Sequence, residues 1–517
     1  MIAVAARVAV ARDVSYAIVI GNNAPPVGGS ETLQRLNYSD DDAVRYHQLF
    51  SRFADSHLLV VLDTQTQRRY PGLAATTQPP TRSNVESLVG VLSDKMQRDR
   101  ARGDRPILYF AFSGHGTYDD QGEPFLALLD AKLTQKTLFD DVLARTPAAL
   151  VHVIVDACHA GGVVGVRGGR FFDKEATART GNTTPADVAP ILQSAPLSRH
   201  PNIGVILAAT VDQETHEWSV TESGVFSHEV LSGLLGAADV NSDGKIEYSE
   251  IAAFVAAANR DIRDPRAVPH VIARPPAIDQ NARLVALSSI AGVRKLSGNV
   301  AALGHFYIEL ANGQRYLDAH LDGEQVAVIV PSATAAYLRT DTREVKLPAG
   351  GDVAIGKLAF AERTLASRGS VQATYQSALF ASSYGPEYYR GYVDSVGAIG
   401  VAFSPIASAT AVAPRRETGD RRIAYSAVAL AAAGAVTGVT FGALAIRARS
   451  DFESTQLQRT AHNAQIRYDR DRTLAAVGGG IAVVATAAAW WFWPRSRVIV
   501  SPSAGDGSYR LSLGASW

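Results

Sequence analysis

Two short apolar runs constrain the fold of this chain more than any other feature. Pro106-Ile-Leu-Tyr-Phe-Ala-Phe112 and Leu150-Val-His-Val-Ile-Val155 are rich in branched and aromatic residues and closed by small ones. That is the pattern of strands buried on both faces of a parallel sheet. The first run ends in Ser113-Gly114-His115-Gly116, the second in Asp156-Ala157-Cys158-His159-Ala160-Gly161-Gly162. In open parallel sheets reactive groups collect where strands end, so neighbouring strands would bring His115 beside Cys158. A nearby imidazole shifts a thiol towards the nucleophilic thiolate. The glycines let backbone N–H groups approach a substrate closely, and the N–H groups of Gly116 and Cys158 are candidates to hold an oxyanion. The competing reading is a buried structural thiol and a loop histidine. Cys158 is the only cysteine in 517 residues, and both candidates end strands at glycine turns, which favours the reactive reading.

The rest of the N-terminal half alternates strands and helices. Tyr16 to Ile20 reads as the first strand, His57 to Leu62 as the second, and Gly204 to Thr210 and Asp264 to Arg274 as later ones. A helix begins at Asp40-Asp41-Asp42, where carboxylates suit the N-terminal end of the dipole, and runs to about Phe53. A second, Asn84 to Ala101, places Val85, Leu88, Val89, Leu92 and Met96 at helical spacing. Helical signals recur near Thr137 to Arg145, and Thr64 to Thr81 reads as a loop. This is the doubly wound α/β pattern, a mostly parallel sheet flanked by helices. Val163 to Asn202 lacks periodicity and reads as a long surface loop.

The SGHG and DACHAGG motifs, in that order and each ending a strand, resemble the catalytic His and Cys motifs of the caspase-like cysteine peptidases, specifically the bacterial metacaspase and orthocaspase branch. The resemblance covers about residues 14 to 285, giving a peptidase domain over 14–287. It implies that His115 is the general base and Cys158 the nucleophile, acting on protein or peptide substrates. It also implies that Asp42 and Asp156 line the pocket for the residue before the scissile bond. Two carboxylates there select Arg or Lys. By the same resemblance the loop 163–202 separates large and small subunits, with Arg167, Arg170, Lys174 and Arg179 as candidate processing points. Glu214 and Glu217 follow in a segment that either contacts substrate or is simply solvated.

A second motif, Asp239-Val-Asn241-Ser-Asp243-Gly244-Lys245-Ile246-Glu247-Tyr-Ser-Glu250, matches an EF-hand calcium loop. Oxygen donors fall at positions 1, 3 and 5, Gly at 6 for the turn, Lys245 at 7 and a potentially bidentate Glu250 at 12. Helices are expected on either side, about Phe226 to Gly236 and Tyr248 to Asn259. The bland alternative is a solvated Asp/Gly turn. Bound Ca2+ would be structural or regulatory rather than catalytic.

Beyond Val300, short strand-like runs separated by Gly, Asn and Asp turns suggest a small β-sandwich-like domain over 298–405. Within it Tyr384, Tyr388, Tyr389 and Tyr392 are expected to pack a linker or to meet a membrane surface or another domain. Ile423 to Ile446 and Thr473 to Pro494 are uncharged and long enough to cross a bilayer. Trp490, Trp491 and Trp493 would form an interfacial belt. Arginines crowd both the inner and outer ends of this pair, so the charge rule leaves its orientation open. Met1 to Ala11 is either the end of a secretory signal or an apolar lead-in to the first strand. The expectation is a bacterial inner-membrane protein with its catalytic part in the periplasm. Val498 to Leu513 reads as a hairpin tail. Lys plus Arg and Asp plus Glu both number 50, so no basic surplus points to nucleic acid. The alternative function is a catalytically silent, membrane-anchored, calcium-sensing scaffold, marked by a thiol that resists alkylation.

Overall fold

The structure, a computed structural model, describes residues 11–29, 33–157, 195–209, 217–262, 270–323, 326–348, 350–363, 378–397, 440, 497–505 and 508–516. Two compact units divide the chain, Met1–Ala409 and Thr410–Trp517.

The first unit is built on a six-stranded sheet. Its strands are β1 (Asp13–Asn22), β2 (Asp55–Val60), β3 (Arg105–Gly114), β4 (Leu150–Asp156), β5 (Ile203–Ala209) and β6 (His270–Arg274), in the order β6-β5-β4-β3-β1-β2. All neighbours are parallel except β6, which runs antiparallel to β5. Successive side chains of a strand point to opposite faces, and here both faces are covered. Ala17, Val19, Tyr109 and Ala111 face one core, which includes α1 (Ser39–Phe50); Ile18, Ile20, Leu108 and Phe110 face another, which includes α2 (Arg82–Ala101). That explains why β1, β3 and β4 carry apolar runs rather than an alternating pattern. The mostly parallel α/β sheet flanked by helices agrees with the expected fold. The stretch expected as a loop after β2 carries a helical turn, Thr64–Arg69, whose N-cap Asp63 accepts from the Thr66 N–H at 2.8 Å.

The helix pair after β5 consists of α3 (Val225–Ser232) and α4 (Tyr248–Asn259). Between them α3 widens through Gly233–Ala237, where Gly236 adopts φ 109°. A Cβ at Gly236 would lie 2.3 Å from the Ala327 carbonyl oxygen. Glycine is therefore required there for both conformation and space.

Residues 293–362 form two further sheets. The first pairs β7 (Val293–Gly298) antiparallel with β10 (Val326–Pro331), with Val353–Ala354 parallel on the other edge of β7. The second is antiparallel, built from β8 (His305–Leu310), β9 (Arg315–His320), β11 (Ala336–Thr340) and β12 (Arg343–Leu347) in the order β9-β8-β11-β12, with Ala361–Glu362 beyond β12. Leu296, Phe306, Leu317 and Val328 from these sheets share one core with Val230, Ile251 and Phe254 of the helix pair. The boundary expected between 287 and 298 is therefore no break in packing. A further helix, α5 (Pro386–Gly397), lies against α4. Tyr389 Oη pairs with Ser249 Oγ at 2.9 Å, and Tyr384 Oη donates to the Ala238 and Glu250 carbonyls. These tyrosines serve as internal packing.

Among the described residues no helix is long and apolar enough to cross a membrane. The segments 423–446 and 473–494 lie outside the described residues apart from Thr440. In the second unit Arg497–Gly505 pairs antiparallel with Ser508–Ser516, the hairpin expected of the tail.

Candidate active site

The parallel ladder pairs Ser113 of β3 with Asp156 of β4 and Gly114 with Asn22 of β1. The ends of three neighbouring strands therefore meet at one edge of the sheet. His115 leaves this edge with only 5% of its surface exposed. Its Nε2–H donates to the Gln34 carbonyl at 2.8 Å. A ring nitrogen fixed as donor leaves the other, Nδ1, as the acceptor. Burial lowers the His115 pKa below its ordinary value, against the opposing effect of its hydrogen bond to the Gln34 carbonyl, so the ring is neutral around pH 7. Gly116 opens the short strand Gly116–Tyr118, paired antiparallel with Pro124–Ala127. Cys158 and His159, two and three positions beyond Asp156, lie outside the described residues, as do Arg167, Arg170, Lys174, Arg179 and Glu214.

The two expected substrate-binding carboxylates do come together. Asp42 sits in the first turn of α1, only 1% exposed, and Asp156 at the end of β4, only 4% exposed. Asp42 Oδ2 accepts from the Gly224 N–H at 2.9 Å and from Ser113 Oγ at 3.2 Å, and Oδ1 accepts from the Ser223 hydroxyl. Asp156 Oδ2 accepts from the Ser227 N–H at 3.1 Å. Both carboxylates flank Gly224, where a Cβ would lie 2.5 Å from Asp156 Oδ2 and 3.1 Å from Asp42 Oδ2. Burial pushes Asp156 up to about 6. Burial and then the charge of Asp156 push Asp42 well above the usual carboxylate range. A nearby cation favours the charged form of desolvated carboxyls such as these.

The neighbouring aspartates do other work. Asp40 accepts from Asn23 Nδ2 at 2.6 Å and from the Asp63 N–H at 2.8 Å, tying α1 to the ends of β1 and β2. Asp41 accepts from Thr66 Oγ1 at 3.1 Å and faces Arg69 at 3.4 Å. Glu217 is half-buried and ties its hairpin to the residues that precede α1. Its carboxylate accepts from the N–H groups of Asn37 and Tyr38 at 2.8 and 2.7 Å.

Several contributors escaped sequence reasoning. Ser223 and Gly224 hold Asp42 from 181 and 182 residues away, and Ser227 holds Asp156 from 71 residues away, and no local pattern announces such contacts. Arg45 had a signal, being one helical turn beyond Asp42 and so on the same face. Its guanidinium is buried beside Asp42, donates to the Thr221 carbonyl, and has Nε and Nη1 without hydrogen-bond partners.

In the second motif the turn is formed as the spacing requires, with Ser242 at φ 59° and Gly244 at φ 74°. The carboxylates, however, are engaged by the turn's own backbone. Asp239 accepts from the N–H groups of Asp243 and Gly244 at 3.1 and 3.0 Å, Asn241 Oδ1 from Asp243, and Asp243 from Lys245. Glu250 accepts from Val240 at 3.2 Å and Glu247 at 2.9 Å, the latter as part of a capping box for α4. Among the described residues no group of three or more His, Cys, Asp or Glu side chains is gathered to hold a metal ion. The donor set itself, carboxylates and one amide oxygen, remains chemically suited to a hard cation.

A comparison with curated proteins found no match. Residues 14–267, just under half of the chain, match the family model of the caspase domain, Peptidase_C14, and this match supports a caspase-like cysteine peptidase in general.

Proposed function

We propose that this protein is a cysteine endopeptidase of the metacaspase-like kind that cleaves after Arg or Lys. The observation that carries the reading is the buried pair Asp42 and Asp156 meeting at Gly224, on the sheet edge from which His115 projects. In this reading the neutral His115 takes the thiol proton of Cys158 through Nδ1. The thiolate attacks the scissile carbonyl carbon, and the N–H groups of Gly116 and Cys158 hold the resulting oxyanion. His115 returns the proton to the leaving amine, and water then hydrolyses the thioester. The cationic side chain of the substrate neutralises the acid pair.

The test is hydrolysis of fluorogenic peptides by the full chain, comparing Arg, Lys and Asp before the scissile bond. Cleavage after Arg and Lys is expected, with activity falling by at least roughly 10³-fold in Cys158→Ala. No turnover together with a thiol that resists alkylation would instead support the silent scaffold.

The reading extends to calcium. Asp239, Asn241, Asp243, the Lys245 carbonyl and Glu250 would hold Ca2+ and influence activity through α3, which leads directly from Gly224 towards this loop. Glu250→Gln is expected to weaken calcium binding about tenfold or more; unchanged affinity and unchanged activity would end this part of the proposal. The apolar segments 423–446 and 473–494 are read as anchoring the enzyme in a bacterial inner membrane with the peptidase part in the periplasm, which protease protection of spheroplasts would test.

A further inference from the structure

Asp42 and Asp156 are held by elements other than their own. Asp42 is held by the hairpin of Glu217–Trp218 and Ser223–Gly224, and Asp156 by Ser227 in the first turn of α3. Neither holder is stiff by itself. The hairpin has two residues per strand, and α3 has only eight residues before it widens towards Gly236. Isolated elements of this length are marginal, and their geometry comes from packing.

One strand, β9, clamps both. Its Asp318 is wholly buried and accepts from His228 Nε2 of α3 at 2.7 Å, the residue immediately after Ser227. The same carboxylate accepts from His305 Nε2 of β8 at 2.9 Å and from Arg315 Nε at 2.6 Å. The backbone N–H of Asp318 donates to Ser232 Oγ, at the other end of α3, at 3.1 Å. Arg315 completes the clamp: its guanidinium lies 3.9 Å from the Tyr307 ring centre and 5.5 Å from that of Trp218, in the hairpin that holds Asp42. Burial opposes the charge of Asp318, but Arg315 and the two histidines hold it well below the usual carboxylate range. Burial keeps His228 neutral, so this histidine acts as a hydrogen-bond donor and the charge pair is Asp318 with Arg315.

We propose that Asp318 and Arg315 are positioning residues for the pocket that receives a cationic side chain, so that the sheet containing β9 completes that pocket. This rests on the reading of Asp42 and Asp156 as substrate-binding groups. Both residues lie outside the segment 14–267 that matches the caspase domain. The physical ground is that two buried carboxyl groups stay correctly aimed only while their donors are fixed. A small shift of Ser227 or Gly224 releases a carboxylate from its bond.

The full chain carrying His228→Leu, which removes the donor to Asp318, is compared with His228→Gln, which restores one. Two readouts are taken, peptide hydrolysis and hydrogen exchange by mass spectrometry over residues 218–230. In His228→Leu exchange over that segment is expected to accelerate about tenfold while β1, β3 and β4 stay protected. KM for Arg peptides is expected to rise about tenfold with kcat little changed, the signature of lost binding rather than lost chemistry. His228→Gln is expected to recover both. Exchange over 218–230 equal to wild type in folded His228→Leu overturns the proposal. So does faster exchange with an unchanged KM. If wild type cleaves no basic peptide, the substrate reading fails while the exchange readout still decides whether β9 fixes the carboxylates. Asp318→Asn, nearly isosteric with the native side chain, is read in the same way if His228→Leu does not fold.

Discussion

At the scale of single residues, the burial of the acid pair opposes stability. A carboxyl whose folded pKa is raised binds more protons folded than unfolded, so stability falls as pH rises through the interval between the two values. For Asp156 that interval runs from 3.8 to about 6. The folded state is therefore least favoured by this group above pH 6, and the loss is absent below 3.8. Asp156→Asn keeps an acceptor for the Ser227 N–H and removes the charge. It is expected to raise stability at pH 7.5 by at most roughly 3 kcal/mol, with little gain at pH 4 and with the preference for Arg lost; denaturant titration at both pH values checks this. The same titration predicts that KM for Arg peptides rises as pH falls through about 6. With His115 as the proposed base, the acid limb of kcat is expected to report that group instead and to lie below 6.5, because burial lowers it. A pH profile in which kcat and KM change together would tie both limbs to one group and contradict this assignment.

At the scale of elements, the site is an agreement between short pieces. The N-terminus of α1 supplies Asp42, the end of β4 supplies Asp156, and the turn into α3 passes between them at Gly224. Gly224 has φ −61° and ψ 138°, a backbone any residue adopts, so its requirement is steric alone. Gly224→Ala would place a methyl 2.5 Å from Asp156 Oδ2. The carboxylate must move, at a cost of roughly 1–3 kcal/mol for such overpacking. The expected result is a lowered melting temperature and a KM for Arg peptides raised about tenfold. Unaltered kinetics would mean that the carboxylates relax without consequence for substrate.

At the scale of the whole molecule, the peptidase-like part and the sheets that follow share a core. Leu296, Phe306, Leu317 and Val328 pack in the cluster that contains Val230, Ile251 and Phe254. Ending the chain at Leu287 would expose that face of α3 and α4 and leave His228 without Asp318. A fragment of residues 14–287 is therefore expected to melt without a sharp transition and to bind an apolar dye, while the full chain melts cooperatively. Calorimetry and dye fluorescence distinguish the two outcomes; a fragment with full-chain cooperativity would show that the shared core is dispensable.

What the sequence determined by itself was local. The apolar runs ending at His115 and Asp156 identified strands buried on both faces, because that burial leaves no polar alternation to mistake for an edge. The spacing from Asp239 to Glu250 likewise predicted a turn with Gly244 at its bend, since only the φ of that position constrains the residue. The tertiary structure alone decided which side chains meet. Glu217 binds the N–H groups just before α1, Tyr384 packs on α4, and β9 reaches back to His228. Each of these is a contact between residues far apart in the chain, and its partner is selected by how the sheets and helices pack, information that no local pattern of residue types contains.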